Sequence, residues 1–170
     1  GGKDNIQKIQ TINATSIAQI TVNGQVFDGE VLSQKKAPNK LYNYTNFNIF
    51  NNESWVDGEN CWIGAKGQES SLQTGESKDK MLFDAELFSV LALTKHNYTL
   101  KVLGKSNNKI LMSAVSPAKA ESIYYFDADN YLLEKIDLDL VSPDGSKEIW
   151  SIVTSDYKLF DGVMLPTTQK

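Results

Sequence analysis

Apolar and polar residues alternate along residues 131–140, and this stretch completes the clearest hairpin in the chain. A period of two predicts a β-strand with one buried and one solvated face, and Glu134 is the one polar residue on the apolar side. The aromatic run at 123–126 predicts the partner strand, and the Asp/Asn cluster at 127–130 predicts the turn. The apolar side consists of Leu132, Ile136, Leu138 and Leu140.

The same period recurs along most of the chain and predicts about eleven short strands. They span residues 12–22, 25–36, 41–47, 49–56, 61–64, 98–104, 109–116, 123–126, 131–140, 149–157 and 163–168. Asn-Gly and Asp-Gly pairs predict tight turns at 23–24, 57–58, 144–145 and 161–162. Gly29 lies inside the second strand and predicts a bulge or a bend. Consecutive hairpins predict one wide antiparallel sheet, and such a sheet tends to curl.

Two segments follow a helical period instead. Isoleucines at a spacing of three predict a short helix within residues 3–12. Residues 78–93 carry a wide apolar arc and predict a long, largely buried helix that Ser77 caps. One face of this arc consists of Phe83, Leu87, Val90 and Leu91.

The predicted fold is α+β. Because the concave apolar face of a curved sheet must be covered, the long helix is its candidate cover. We therefore expect a curved antiparallel β half-barrel of about eleven strands, with a short N-terminal helix and a long helix packed in its concave face.

The length of 170 residues predicts a single domain over residues 1–170. No apolar run approaches the roughly 18 residues of a membrane span, and no signal-peptide pattern opens the chain. The strand that begins near Val163 meets the end of the sequence after a few residues. This favours a piece cut from a longer chain.

Charge argues against one class of partner. The formal net charge is −4, and all 17 cationic side chains are Lys. Nucleic-acid binding needs a basic surface that neutralises phosphates, so we expect no nucleic-acid partner. The absence of Arg also removes the planar fork that binds carboxylates and phosphates with two hydrogen bonds.

Candidate catalytic groups are few. His96 is the only possible imidazole base, and no nucleophile with an orienting partner lies near it in sequence. Cys61 is the only cysteine, so it forms no internal disulfide and suits a buried apolar position better than a reactive one. We expect no catalytic site and no enzyme activity.

The sequence also lacks the residue types and spacings of a metal site or a cofactor motif. One cysteine and one histidine cannot build a zinc site. The acidic residues between 127 and 139 lack the glycine and the closing Glu of a calcium loop, which indicates a solvated strand face. We expect no metal and no cofactor.

Aromatic residues are concentrated on the predicted strands. They are Trp55, Trp62, Tyr98, Tyr124, Tyr125, Phe126 and Trp150. Either they form the sheet core, or some of them line an apolar cavity between sheet and helix, as in other large half-open β-structures. The sequence leaves both interpretations open.

Several short sequence segments, taken together in their order along the chain, resemble those of bacterial outer-membrane lipoprotein carrier and sorting proteins. They lie at residues 1–9, 36–40, 55–62, 124–132 and 156–166, and the resemblance extends over nearly the whole chain. Similar domains also occur appended to insulinase-like zinc peptidases. The resemblance implies a half-barrel with helices over its concave face and an apolar cavity for acyl chains.

On this resemblance we expect a non-catalytic domain of the bacterial periplasm or outer membrane that binds a lipid or a lipoprotein acyl chain. The helix at 78–93 would act as a lid. The residues expected to line the cavity are Trp62, Phe83, Leu87, Val90, Leu91, Tyr98, Tyr124 and Phe126. The alternative is an accessory interaction domain of a larger envelope protein, such as a zinc peptidase, with a filled core and other domains of the parent chain or an envelope protein as its partners.

Overall fold

A computed structural model describes residues 2–141 and 147–170. They form two compact units, an N-terminal unit of residues 8–92 and a C-terminal unit of residues 2–7 and 93–170.

The prediction of mostly antiparallel β-structure with few helices is confirmed. In chain order the elements are α1 (Lys3–Lys8), β1 (Thr11–Val22), β2 (Gln25–Lys36), β3 (Lys40–Phe47), β4 (Phe50–Asp57), β5 (Asn60–Gly64), β6 (Ser71–Leu72), α2 (Gly75–Asp84), α3 (Ser89–Ala92), β7 (Thr99–Ser106), β8 (Lys109–Val115), β9 (Glu121–Asp127), β10 (Leu133–Val141), β11 (Lys147–Ser155), β12 (Lys158–Phe160), β13 (Val163–Leu165) and β14 (Thr168–Gln169).

The N-terminal unit is built on a meander in which β1 to β6 pair in sequence order. Its longest hairpin joins β1 and β2 without a break, from Thr11 opposite Lys36 to Val22 opposite Gln25. The turn residues Asn23 and Gly24 have φ values of 50° and 78°. Both values are positive, as the tight turn that matches the twist of two strands requires. The predicted hairpin is confirmed with its turn.

Gly29 does not form the predicted bulge, since the pairing of β1 with β2 runs through it and Ala18 lies opposite. It provides space for a neighbouring strand instead. A Cβ atom at this position would lie 2.5 Å from the Asn46 carbonyl oxygen and 2.7 Å from Cγ of Phe47. Glycine is required here because the ring of Phe47 occupies the place of a side chain.

The helix predicted at residues 78–93 is wrong as a single element, because α2 ends at Asp84 and α3 covers only four residues. The Lys35 ammonium group donates a hydrogen bond of 3.0 Å to the carbonyl oxygen of Glu86. In a continuous helix this oxygen would accept the N–H group of residue 90. The predicted cap is also wrong. Thr74 is the N-cap residue, and Ser77 Oγ donates to Gln73 Oε1 at 2.8 Å.

The core of the N-terminal unit lies between α2 and the sheet. The apolar residues Leu41, Val56, Cys61, Met81 and Ala85 form one buried cluster. The Cys61 thiol is fully buried and lies 3.9 Å from the Lys78 carbonyl oxygen, which ties β5 to α2. Burial raises the pKa of this thiol, as expected for an inert core cysteine.

In the C-terminal unit the strand order of the larger sheet is β14-β11-β10-β9-β8-β7, and β12 pairs with β13 separately. The hairpin predicted at residues 121–140 is confirmed as β9 and β10. Asp127 Oδ1 accepts the N–H groups of Asp129 and Asn130, each at 2.9 Å. The second strand starts at Leu133, later than predicted, because Tyr131 adopts a positive φ of 61° in the turn.

A β-bulge at Glu134 explains the polar residue that interrupts the apolar pattern of this hairpin. Leu133 faces Phe126 and Lys135 faces Tyr125, so Glu134 has no partner of its own in β9. Its carboxylate instead forms an ion pair with the Lys109 ammonium group of β8. The extra residue therefore resets the alternation between the two faces of the sheet.

The described residues form fourteen strands, against the eleven that were predicted. The pattern missed the short strands β6 and β12, and it treated β13 and β14 as one strand across Pro166. The turn predicted at 144–145 lies outside the described residues. Among the described helices, none has the length and the apolar composition of a membrane span.

Candidate ligand-binding face

The register of the C-terminal sheet collects apolar side chains on one of its faces. Residues directly opposite each other in antiparallel strands point to the same side of a sheet. The pairing therefore creates one row across five strands and a second row beside it. The first row is Val102, Met112, Tyr124, Ile136 and Ile152, and the second is Leu100, Ala114, Ser122, Leu138 and Trp150. We call these two rows the apolar face.

Exposure varies systematically across the apolar face. Its centre is buried, with Ala114 fully covered and Tyr124 only 5% exposed. Its margins are open, since Val102 of β7 is 69% exposed and Trp150 of β11 is 59% exposed. Large apolar side chains therefore lead from solvent on both margins toward a covered centre.

Three of the predicted cavity residues meet at this centre. The rings of Tyr124 and Phe126 stack with their centroids 6.4 Å apart. Burial raises the pKa of Tyr124 to about 12, and the neighbouring Tyr98 hydroxyl adds to this shift. An environment that disfavours the charged form of a phenol has little access to water. Tyr124 and Phe126 thus form a stacked aromatic pair, and Tyr98 lies near enough to act on the Tyr124 phenol.

The other face of the same sheet is polar. Asp137 lies 2.8 Å from the Lys135 ammonium group and accepts a hydrogen bond from Ser151 Oγ. Burial alone would raise the pKa of Asp137, but hydrogen bonds from Lys135, Ser151 and Tyr125 together lower it. The Lys135 ammonium group also lies 5.0 Å from the centre of the Tyr125 ring. A groove of about 550 Å³ opens on this side. The charged side chains of Lys109, Glu134 and Lys135 line this groove beside Leu111 and Val153.

The remaining five predicted cavity residues belong to the N-terminal unit. Trp62 of β5 is half-buried and stacks on Trp55 with ring centroids 6.3 Å apart. On the helical segment, Phe83, Leu87 and Val90 are half-buried. Leu91 is 61% exposed. Their role in ligand binding stays a prediction.

Lys35 is a half-buried cation among apolar neighbours in the N-terminal unit. It shares a row with Ile12, Leu41, Val56 and Cys61 through the pairing of β1 to β5. Burial lowers its pKa, and the carboxylates of Asp84 and Glu86 only partly offset this. A groove of about 310 Å³ passes over it. This contact could not be predicted from sequence, because Lys35 and Glu86 are 51 positions apart.

His96 and Cys61, the two candidate reactive side chains, belong to different units of the described chain. His96 lies half-buried in the turn that follows α3. Among the residues described, no group of three or more His, Cys, Asp and Glu side chains could hold a metal ion. The feature that stands out is thus an apolar surface.

Comparisons with known proteins bear on the fold. No family model matches the chain, and no curated protein matches it significantly. Among solved structures, it is similar to a LolA superfamily protein from Nitrosomonas europaea, with a TM-score of 0.61 and 9% sequence identity over 94% of this chain and 76% of that one.

A second similarity is weaker. It is to the CwlD amidase from Clostridioides difficile in complex with the GerS lipoprotein, at 14% identity over 93% of this chain and 91% of that one. Its TM-score of 0.41 is too low to establish a shared fold.

The likeness to the LolA superfamily protein shows that this chain has a LolA-like fold, as the resemblance to lipoprotein carrier and sorting proteins implied.

Proposed function

We propose that this chain is a non-catalytic domain of the bacterial envelope that binds an acyl chain of a lipid or lipoprotein. The apolar face of the C-terminal sheet is the observation that carries the proposal. Its open margins at Val102 and Trp150 lead to the stacked aromatic pair at Tyr124. The LolA-like fold supports the proposal by analogy with carrier proteins.

The energetics of such binding would come from apolar transfer. Each methylene group removed from water contributes about 0.8 kcal/mol. Shortening the bound chain by two carbons would then weaken binding by roughly tenfold. The polar face, with its Asp137 and Lys135 charges, would not show this dependence on chain length.

The proposal predicts that Val102→Asp weakens the binding of a fluorescent fatty acid to delipidated protein by tenfold or more. A carboxylate on the apolar face would have to lose water when the acyl chain covers it. Fluorescence titration over fatty acids of different chain length measures the effect. Val102 is exposed, so the variant should fold normally.

Val153→Asp is the matched control, since Val153 is 44% exposed on the opposite face of the same sheet. It should bind as the unaltered protein does. Equal losses in both variants, or no binding by the unaltered protein at any chain length, would overturn the proposal.

One observation favours a second function, an accessory interaction domain with a filled core. The centre of the apolar face is already covered, since Ala114 has no exposed surface. Such a domain would leave no room for an acyl chain and would bind another envelope protein, or a domain of its own parent chain. In that case unaltered protein would show no dependence of binding on acyl length.

A further inference from the structure

The outer edge of β1 is an open hydrogen-bonding surface. In the described part of the N-terminal unit, β1 is the terminal strand of its sheet and pairs only with β2. Every second residue of such a strand directs its N–H and C=O groups away from the sheet. Over the 12 residues of β1 this forms a long template for another strand.

This edge lacks the features that usually protect an exposed strand. Natural edge strands carry charges, proline or bulges that prevent pairing with another chain. The sequence of β1, TINATSIAQITV, contains no charged residue and no proline. Its register with β2 shows no bulge, and Ile17 at its middle is 89% exposed.

We propose that β1 pairs antiparallel with β1 of a second copy of this chain, with the two-fold axis at Ile17. This register matches residue types on both faces of the joined sheet. On one face Ile12 meets Val22, Ala14 meets Ile20, and Ser16 meets Ala18. On the other face Asn13 meets Thr21, Thr15 meets Gln19, and Ile17 meets itself. Beyond Val22 the turn at Asn23 ends the pairing.

Charge favours a second copy as the occupant. Identical residues face each other near a two-fold axis, so a charge there would repel its own copy. The chain carries a net charge of −4, yet β1 carries none of its charges. Two copies can therefore approach along β1 without placing like charges opposite each other. This inference is independent of acyl-chain binding.

The mass of the protein in solution tests whether two β1 strands pair. Over increasing concentration, unaltered protein should reach twice its chain mass of 18.9 kDa in analytical ultracentrifugation. Ile17→Lys should remain at the mass of one chain, because it places two ammonium groups opposite each other. Val26→Lys is the control, since Val26 is also exposed but lies on β2, one strand in from the open edge of β1. It should dimerise as the unaltered protein does.

Crosslinking tests the register. Ile17→Cys should crosslink to itself with a short thiol-specific reagent, and an equal mixture of Asn13→Cys and Thr21→Cys should crosslink although neither does so alone. The native Cys61 is fully buried and does not interfere. A chain that stays monomeric, a dimer that survives Ile17→Lys, or crosslinks in another register would each overturn the proposal. A monomer would leave the edge to a strand of a different protein.

Discussion

Replacing Gly29 by Val is expected to destabilise the protein by about 3 kcal/mol, although Val is the better strand former. A side chain at this position would overlap the Asn46 carbonyl group and the Phe47 ring. Phe47 is 4% exposed, so its ring cannot swing into solvent without losing its buried contacts. The strain must be relieved by moving β3 away from β2, which breaks their hydrogen bonds.

Urea unfolding measures this effect. Val26→Ala is the control, because it changes an exposed valine on the same strand and should shift the free energy of unfolding by less than about 0.5 kcal/mol. If strand propensity decided the outcome, Gly29→Val would be at least as stable as the unaltered protein. That result would show that β2 and β3 do not approach as described.

The second large effect is expected for Met81→Ala, with a loss of about 2–5 kcal/mol. Met81 is 7% exposed, and it joins α2 to the cluster of Leu41, Val56 and Cys61 on the sheet. The shorter side chain removes apolar burial and leaves a cavity between helix and sheet. α2 has no side-chain cap at its N-terminus, so this packing is a main source of its stability.

Leu91→Ala provides the comparison within the same helical region. Leu91 is 61% exposed in α3, and its truncation should cost little. Urea unfolding of both variants gives the two free energies side by side. Similar losses for Met81→Ala and Leu91→Ala would mean that the two side chains are buried to a similar extent, contrary to the structure.

Local chemistry made the hairpins predictable from sequence. The Asn23-Gly24 pair accepts positive φ, and with the alternation on both sides it defines β1 and β2 to within a residue. The cluster at 127–130 defines its turn in the same way, through Asp127. The LolA-like fold was predictable from the order of the short sequence segments that resemble lipoprotein carrier and sorting proteins. Residue chemistry without that resemblance indicated only a β-rich domain.

Contacts between distant residues were not predictable. At the break between α2 and α3, the Glu86 carbonyl group accepts a hydrogen bond from Lys35, which is 51 positions away in sequence. The role of Gly29 depends on Phe47 of another strand. A period of two or of 3.6 describes one element at a time, and it contains no information about which side chain from another element will meet it.

The candidate site was predicted in part. The aromatic run indicated Tyr124 and Phe126, and the structure adds the stacking of their rings. Met112 and Ile136 were not among the predicted cavity residues, because their place beside Tyr124 follows from the strand register. Alternation indicates that a strand has an apolar side, but only the register shows which strands complete it.

The most direct test of acyl binding at the apolar face is quenching of Trp150 by a brominated fatty acid. Trp150 is the only tryptophan on that face, and a protein with Trp55→Phe and Trp62→Phe reports it alone. The proposal predicts that saturating brominated fatty acid quenches Trp150 fluorescence and that the unbrominated fatty acid reverses the quenching. Bound fatty acid that leaves Trp150 unquenched would contradict it.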